Sequence, residues 1–488
     1  MILIYLSSGL FLGWSLGAND ASNIFGTAVG TRMVKFRTAA IVASIFVILG
    51  AVHSGSGAAH TLGQLGSINA MGGAFMVALA AGFTVFWMTR LKLPVSTSQA
   101  IVGAIVGWNF FAGMLTDYNS LLKIVFSWVI SPILAGIFAV LIYLLLKRVL
   151  RLTPVSILRL DVYTRAGLIV VGAFGAYSLG ANNIANVMGV FIPAAPFEAI
   201  QIAGINFSGT QQLFLLGSLA IAVGIFTYSH KVMQTVGNKV VKLNPQSALV
   251  VVLAEALVLF LFASADLHNW LISHNLPALP LVPVSSSQLV VGGVIGIGIV
   301  QGGKTIKYRI AGKIAAGWVI TPIIAALIAF FALFFLKNVF EMKVSNPVSY
   351  RLSKPVVKRL RTHDIIIKED DRNKKFKNAI KVKRFVNNSS YLSQTDLEEI
   401  VASARVDSFY FSSSRLKNFQ NDHGELFSEN ELQRFNDLKG QRFSHEWQLR
   451  DQILEKVFQQ KKAALKNEEN NHKLELIKEN FKVSHQTN

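Results

Sequence analysis

Two apolar runs of this chain are interrupted at their centres by the same polar cluster. Leu16-Gly17-Ala18-Asn19-Asp20-Ala21-Ser22-Asn23-Ile24-Phe25-Gly26 is answered 163 residues later by Leu179-Gly180-Ala181-Asn182-Asn183-Ile184-Ala185-Asn186-Val187-Met188-Gly189. Pro94-Val95-Ser96-Thr97-Ser98-Gln99 recurs as Pro283-Val284-Ser285-Ser286-Ser287-Gln288, and Trp128-Val129-Ile130-Ser131-Pro132 recurs as Trp318-Val319-Ile320-Thr321-Pro322. Three matched blocks in the same order mark a duplication. A solenoid would need at least three shorter units, so the repeats describe a fold made of two large halves.

The surroundings of these blocks belong in a bilayer. Up to Leu336 the chain carries 18 Lys+Arg and 6 Asp+Glu, whereas residues 337–488 carry 29 and 21. Apolar stretches near 38–53, 70–90, 121–146, 211–229, 246–265 and 314–336 are long enough for a hydrocarbon core of roughly 30 Å. Others near 1–30, 94–113, 166–195 and 283–302 are broken by Gly, Pro, Asn and Ser. Met1 lacks a basic stretch behind it, so no cleaved signal peptide is expected. With no cysteine, disulfides, thiolate metal sites and cysteine nucleophiles are excluded.

Each half contributes about five apolar elements. An odd number makes the second half enter the membrane from the side opposite to the first. If successive elements cross alternately, one side carries 17 basic residues, from Arg32, Lys35 and Arg37 to Lys313, and the other side only Lys123. By the positive-inside rule the Arg32 loop is cytoplasmic and Met1 external. The expected fold is therefore an all-α polytopic membrane protein, with two inverted-topology repeats whose broken or re-entrant helices meet near the bilayer midplane. Residues 1–150 form repeat 1, 151–165 a basic cytoplasmic connector, 166–336 repeat 2 and 337–488 a polar, basic, mainly helical C-terminal tail.

Polar groups at membrane depth persist only where protein or a water-filled cavity satisfies them. Asn19, Asp20 and Asn23, their counterparts Asn182, Asn183 and Asn186, and the turns Ser96-Thr97-Ser98-Gln99 and Ser285-Ser286-Ser287-Gln288 all need partners. Half-helix N-termini and Ser/Thr hydroxyls donate to an oxyanion, while freed carbonyls and Asn or Asp oxygens hold a hard cation such as Na⁺. Gly103/Gly107 and Gly292/Gly296 read instead as helix-packing residues of the small-xxx-small kind. Asp20 and Glu255 are the acids lying well inside apolar sequence, where an ionisable group costs at least ~2.5–3.5 kcal/mol and marks function by default. Glu255 is a candidate for proton or cation coupling, with a neutral glutamic acid bonded to a neighbouring helix as the alternative.

On these motifs residues 1–336 resemble the PiT family of inorganic phosphate transporters, whose signature is a twice-occurring Gly-Ala-Asn-Asp-x-x-Asn with Pro-x-Ser-[Ser/Thr]-[Ser/Thr]-[Gln/His] later in each half. The resemblance implies import of phosphate by Na⁺ or H⁺ symport across the inner membrane. Asn19, Asp20, Asn23, Ser96, Thr97, Ser98, Asn182, Asn183, Asn186, Ser285, Ser286 and Ser287 would then bind substrate. Asp20, Asn23, Gln99, Asn183, Asn186, Gln288 and Glu255 would serve coupling, with a Na⁺ at Asp20, Asn23 and Asn186. The implied partners are phosphate, the co-transported cation, the lipid bilayer and a second copy of the chain. No nucleic acid and no cofactor is implied. One departure matters: Asn183 stands where the family pattern has Asp, which opens the coupling ion, its stoichiometry and sulfate or another tetrahedral oxyanion as substrate. An anion channel is the alternative of a different class.

Gly298-Ile299-Val300-Gln301-Gly302-Gly303-Lys304-Thr305 fits the phosphate-loop expression, but that motif works only between a strand and a helix of a nucleotide-binding domain. It ends an apolar segment here and is read as chance, so the chain is not expected to be an enzyme. His53 and His60 read as solvated residues of an external loop. In the tail, Thr395-Asp396-Leu397-Glu398 has a capping-box pattern and 429–481 a helical period. Repeat parity places the tail outside with Met1, whereas Lys337, Lys343, Arg351, Lys354, Lys358, Arg359 and Arg361 argue for inside.

Overall fold

The computed structural model describes residues 2–482 except 67, 91–94, 154, 196, 198, 203–204, 231–232, 234–243, 303–307, 363–364, 366–373, 388–393 and 460–467. The chain divides into two compact units, Met1–Asn346 and Pro347–Asn488. In the first, the earlier repeat supplies α1 (Ile2–Asn19), α2 (Ala21–Gly30), α3 (Phe36–Ser54), α4 (Ser56–Gly66), α5 (Met71–Arg90), α6 (Thr97–Ala112) and α7 (Tyr118–Leu152). The later repeat supplies α8 (Ile157–Met188), a small hairpin of β1 (Ile200–Ile202) and β2 (Ile205–Phe207), α9 (Gly209–Thr227), α10 (Pro245–Leu261), α11 (Ala265–Ser273), α12 (Ser286–Val300) and α13 (Tyr308–Asn338). Nothing in the apolar periodicity announced the hairpin.

Among the described residues seven helical segments are long and apolar enough to cross a membrane, and α10 with α11, bent by 69°, makes an eighth. The protein is thus a multi-pass membrane protein. The two other elements are short: α6 has 16 residues and α12 has 15, about 24 and 22 Å at 1.5 Å per residue. Each starts from an extended residue, Ser96 (φ −108°) and Ser285 (φ −95°), that is buried in the protein.

Which helices touch reveals the pseudo-two-fold. α1 packs on α9 and α8 on α3, so the first span of each repeat, α1 with α2 or α8, lies against the second span of the other. In the same way α6 packs on α13 and α12 on α7, while α1–α5 within repeat 1 is matched by α8–α10 within repeat 2. Glycine permits these crossings. A Cβ on Gly17 would overlap the Ile221 carbonyl and one on Gly180 the Val47 carbonyl; on Gly103 it would overlap the Pro322 carbonyl and on Gly292 the Pro132 carbonyl. Gly107 and Gly296 approach Ala326 and Gly136 in the same fashion. With lipid as apolar as leucine, such backbone contact is what holds membrane helices together.

The expectation that the two Asn-rich motifs are unwound is corrected. Only Asp20 separates α1 from α2, its backbone stays helical (φ −78°, ψ −32°), and its N–H still donates to the Leu16 carbonyl at 2.7 Å. α8 runs unbroken through Asn182, Asn183 and Asn186. The interruptions lie instead ahead of α6 and α12. The Asn and Asp side chains find partners on facing elements, so the helical backbone has no need to open. His53 and His60 are corrected too: both are exposed, but they end α3 and sit in α4 rather than in a loop, with His53 Nδ1 3.2 Å from the Tyr177 hydroxyl. The phosphate-loop match reaches Lys304 and Thr305, which lie outside the described residues.

The orientation has a direct test. Gln64 in α4 and Thr31 after α2 are both exposed. In this cysteine-free chain Gln64→Cys should react with an impermeant thiol reagent added outside and Thr31→Cys should not; the reverse pattern would overturn the positive-inside assignment.

The tail is more than a polar appendage. It holds β3 (Tyr350–Arg351), α14 (Lys354–Arg361), β4 (Lys375–Phe376), α15 (Ala379–Asn387), α16 (Gln394–Ala404), β5 (Phe409–Tyr410), α17 (Ser413–His423), α18 (Glu429–Phe435), β6 (Arg442–Phe443), α19 (Glu446–Gln452) and α20 (Glu468–Phe481). Phe411, Phe419, Phe435 and Phe481 are fully buried, and the Phe411 and Phe481 rings stack at 3.9 Å. The segment 429–481 is helical only in pieces, broken by β6. Thr395 lies inside α16 rather than at its cap, and the reciprocal capping box forms between Ser428 and Glu431 instead.

Candidate functional site

Both Ser-rich turns are built the same way and face each other. Ser98 Oγ donates to the Val284 carbonyl at 2.9 Å and Ser287 Oγ to the Val95 carbonyl at 3.3 Å, so each turn hydrogen-bonds the residue two before the partner helix. The Val95 and Val284 carbonyls are partners that side-chain reasoning overlooked; the repeated Pro-Val ahead of each serine was their only trace. Asn182 locks this arrangement, its Nδ2 donating to the Val282 carbonyl at 3.0 Å and its Oδ1 accepting from the Val284 N–H at 2.8 Å. Ser96 Oγ accepts from the Gln99 N–H at 3.3 Å and caps α6. Ser285 makes no such cap and instead pairs with the Ser287 hydroxyl at 3.0 Å. The N-termini of α6 and α12 are thereby buried side by side, where helix ends carry partial positive charge and free N–H groups.

The motif residues close around these turns from three sides. Asp20 Oδ2 accepts from Thr97 Oγ1 at 3.2 Å and Asp20 Oδ1 from Asn19 Nδ2 at 3.3 Å. Asn23 Nδ2 donates across the repeats to Ser286 Oγ at 3.0 Å, and that hydroxyl in turn donates to Glu255 Oε1. Asn186 Nδ2 donates to Ser98 Oγ at 2.8 Å and to Asn183 Oδ1 at 2.9 Å, and Ser98 Oγ also approaches Asn183 Oδ1 at 3.4 Å. Asp20, Asn23, Asn182, Asn183, Asn186 and Glu255 therefore each hydrogen-bond a residue of the two Pro-Val-Ser turns, and Asn19 reaches them through Asp20. Asp20, Asn23 and Asn186 are each engaged by a different hydroxyl, those of Thr97, Ser286 and Ser98.

What the network leaves unpaired is informative. Gln99 Oε1, Gln288 Oε1, Asn186 Oδ1, Glu255 Oε2 and Asn183 Nδ2 are buried without a protein hydrogen-bond partner. Native interiors keep such atoms for a ligand or ordered water. Four are acceptors and one is a donor. The donor follows from the network: Asn183 Oδ1 accepts from Asn186 Nδ2, which turns the NH₂ away from that neighbour. Asp20 and Glu255 are 4% and 1% exposed, and among the described residues neither forms an ion pair. Two buried carboxylates without a fixed countercharge make this an acceptor-rich place for a mobile cation or a proton-bearing solute.

Residues 16–162, 158–329 and 271–474 match the model of the phosphate transporter family, the first two matches falling one on each repeat. The chain is 27% identical over 337 residues to a protein provisionally named a phosphate permease in Methanocaldococcus jannaschii, covering 68% of this chain and 98% of that one. A similarly named protein of Pyrococcus furiosus is 27% identical over 411 residues, covering 67% and 94%. In fold the chain resembles a solved structure titled the sodium-dependent phosphate transporter, with a TM-score of 0.54 and 22% identity over 69% of this chain and 98% of that one.

Proposed function

This chain belongs to the phosphate transporter family, and we propose that it is an inner-membrane symporter that imports inorganic phosphate together with Na⁺ or H⁺. The observation that carries the proposal is the buried meeting of two helix N-termini, lined by Thr97, Ser98, Ser286 and Ser287, with the unpaired acceptors described above. Helix ends and hydroxyls donate to an oxyanion. The acceptors add selectivity, because phosphate at neutral pH still carries O–H groups that can donate to them. Sulfate carries none, so in this site it would leave Glu255 Oε2 and the amide oxygens facing a bare anion, an arrangement that rejects it. That reasoning favours phosphate over sulfate.

The roles divide accordingly. Thr97, Ser98, Ser286 and Ser287, by turning their hydroxyls from the protein acceptors they serve here, hold the anion together with the Asn183 NH₂; Asp20 and Glu255, with Asn23, Asn186, Gln99 and Gln288, serve the coupling cation. Asn182 and Ser96 shape the turns. A homodimer is the assembly expected from the family resemblance. Counterflow of labelled phosphate against sulfate in proteoliposomes, under imposed Na⁺ or H⁺ gradients, tests the whole reading. Uptake that does not saturate and ignores both gradients would replace it with a channel.

A narrower test addresses the hydroxyls. Thr97→Ala and Ser286→Ala each remove a donor to a charged acceptor, a loss on the order of 1.5–3 kcal/mol, or ten- to a hundred-fold in apparent phosphate affinity. Thr97→Ser and Ser286→Thr keep a hydroxyl and should keep most of the affinity. Wild-type affinity in both alanine variants would remove the turns from the binding site.

A further inference from the structure

The second unit carries a charge asymmetry that its fold does not require. Residues 347–390 contain 13 Lys+Arg and 4 Asp+Glu, while 391–488 contain 14 and 16. The basic third is also organised. In the β3–β4 ladder Arg351 stands directly opposite Lys375, both exposed. Like charges opposite one another weaken a strand pair. From each end of that ladder a basic stripe continues. On α14, Lys354, Lys358 and Arg361 recur at positions one and two turns apart, and all three are exposed. After β4, Lys377, Lys381 and Arg384 recur at the same spacing into α15, again exposed.

Like charges one turn apart destabilise a helix, so the pattern opposes stability at three places. The opposite faces of the two helices account for folding: Val356, Val357 and Leu360 of α14 and Ala379, Val382 and Val386 of α15 are buried, and both helices pack on α16. Among the described residues, Lys354, Lys358, Lys375, Lys377, Lys381 and Arg384 form no ion pair, in contrast to Arg359, which reaches Asp451 at 3.3 Å. These six exposed bases are thus solvated and, among the described residues, not neutralised by an ion pair.

We propose that this surface binds the anionic phosphate headgroups of the bilayer that the same chain spans. Charge complementarity selects an anionic surface, and covalent continuity selects which one. Arg351 follows Asn338, the last residue of α13, by only 13 residues, a tether of at most about 45 Å. A linkage of that length makes encounter with the membrane intramolecular, which multiplies weak contacts without any new one. A soluble polyanion must instead be captured from dilute solution.

The test uses the full chain in nanodiscs of phosphatidylcholine alone or of phosphatidylcholine with phosphatidylglycerol. Because the chain has no cysteine, a single fluorophore can be attached through Thr362→Cys, at the exposed end of α14. Its quenching by spin-labelled headgroups reports proximity to the bilayer. Strong quenching is expected only with phosphatidylglycerol, and it should disappear at about 0.5 M salt, where the screening length falls to a few ångström. Each base near an anionic surface contributes about fivefold in occupancy, so K354Q/K358Q/K381Q/R384Q should reduce quenching to the phosphatidylcholine level, while the matching arginine set (K354R/K358R/K381R) keeps it. Quenching that is the same in both lipids, or unchanged in the glutamine variant, would overturn the proposal. So would displacement of the fluorophore from the bilayer by added polyphosphate or RNA at low concentration, which would identify a soluble polyanion as the occupant.

Discussion

Asp20→Asn is expected to abolish cation-coupled phosphate uptake while leaving the protein folded in the membrane. The substitution is close to isosteric, and its one amide oxygen can still accept from Thr97, giving up only the longer bond that Asn19 makes to the other carboxylate oxygen. What disappears is the full negative charge, and with it on the order of 1.5–3 kcal/mol of cation interaction, ten- to a hundred-fold in cation affinity. The second half already shows the consequence of that exchange. Asn183 occupies the equivalent place and its unpaired NH₂ presents a donor where an aspartate would present a charge, so on the proposed reading repeat 2 should hold a cation weakly and an anion well. Asn183→Asp should therefore strengthen the dependence on Na⁺ or pH and raise the phosphate concentration needed for half-maximal uptake. Initial rates against Na⁺ concentration and pH decide the matter for the wild type and both variants. Indistinguishable cation dependence in all three would show that neither position serves coupling.

The second large effect concerns stability. Gly103→Val and Gly292→Val should each lower the thermal stability of the detergent-solubilised protein by about 5–10 °C and remove most transport, since overpacking costs typically 1–3 kcal/mol and here the obstacle is backbone. The Pro322 and Pro132 carbonyls that the new side chains would meet cannot turn aside as a flexible side chain could. Gly63→Ala is the control, because no atom lies within 4 Å of a Cβ built there. The glycine-mediated crossings would lose their assigned role if the two valine variants melted with the control.

The sequence made the architecture readable because duplication prints the same polar residues twice against an apolar background. Asp20 and Asn183 can be compared from the sequence alone, and the Pro-Val-Ser blocks locate the short α6 and α12. Glu255 was visible only as an acid in an apolar run; that it meets Ser286, and through it Asn23 of the other repeat, is a long-range fact no local pattern encodes. The continuity of α8 was misjudged for a related reason. Asn and Gly lower helix propensity, and the hydrogen bonds from Asn182 to the Val282–Val284 backbone that offset this come from a segment a hundred residues away. The compact core of the second unit is hidden from the sequence because its phenylalanines are spaced irregularly through polar sequence, and the packing of Phe411 on Phe481 joins the residue after β5 to α20.

The exchange of first helices between repeats sets a timetable for biogenesis. α1 finds its main partner in α9, which ends at Thr227, some 200 residues after Asp20 leaves the ribosome. At 5–20 residues per second, translation takes about 10–40 s to deliver that partner. Through that interval α1 occupies the membrane without the α9 surface that later covers it, although Thr97, the partner of Asp20, arrives earlier, and α3 waits likewise for α8. A nascent first half on its own is therefore a client for the insertion machinery or for membrane chaperones and proteases, and truncated chains that stop before α9 should be cleared rather than accumulate as half-transporters.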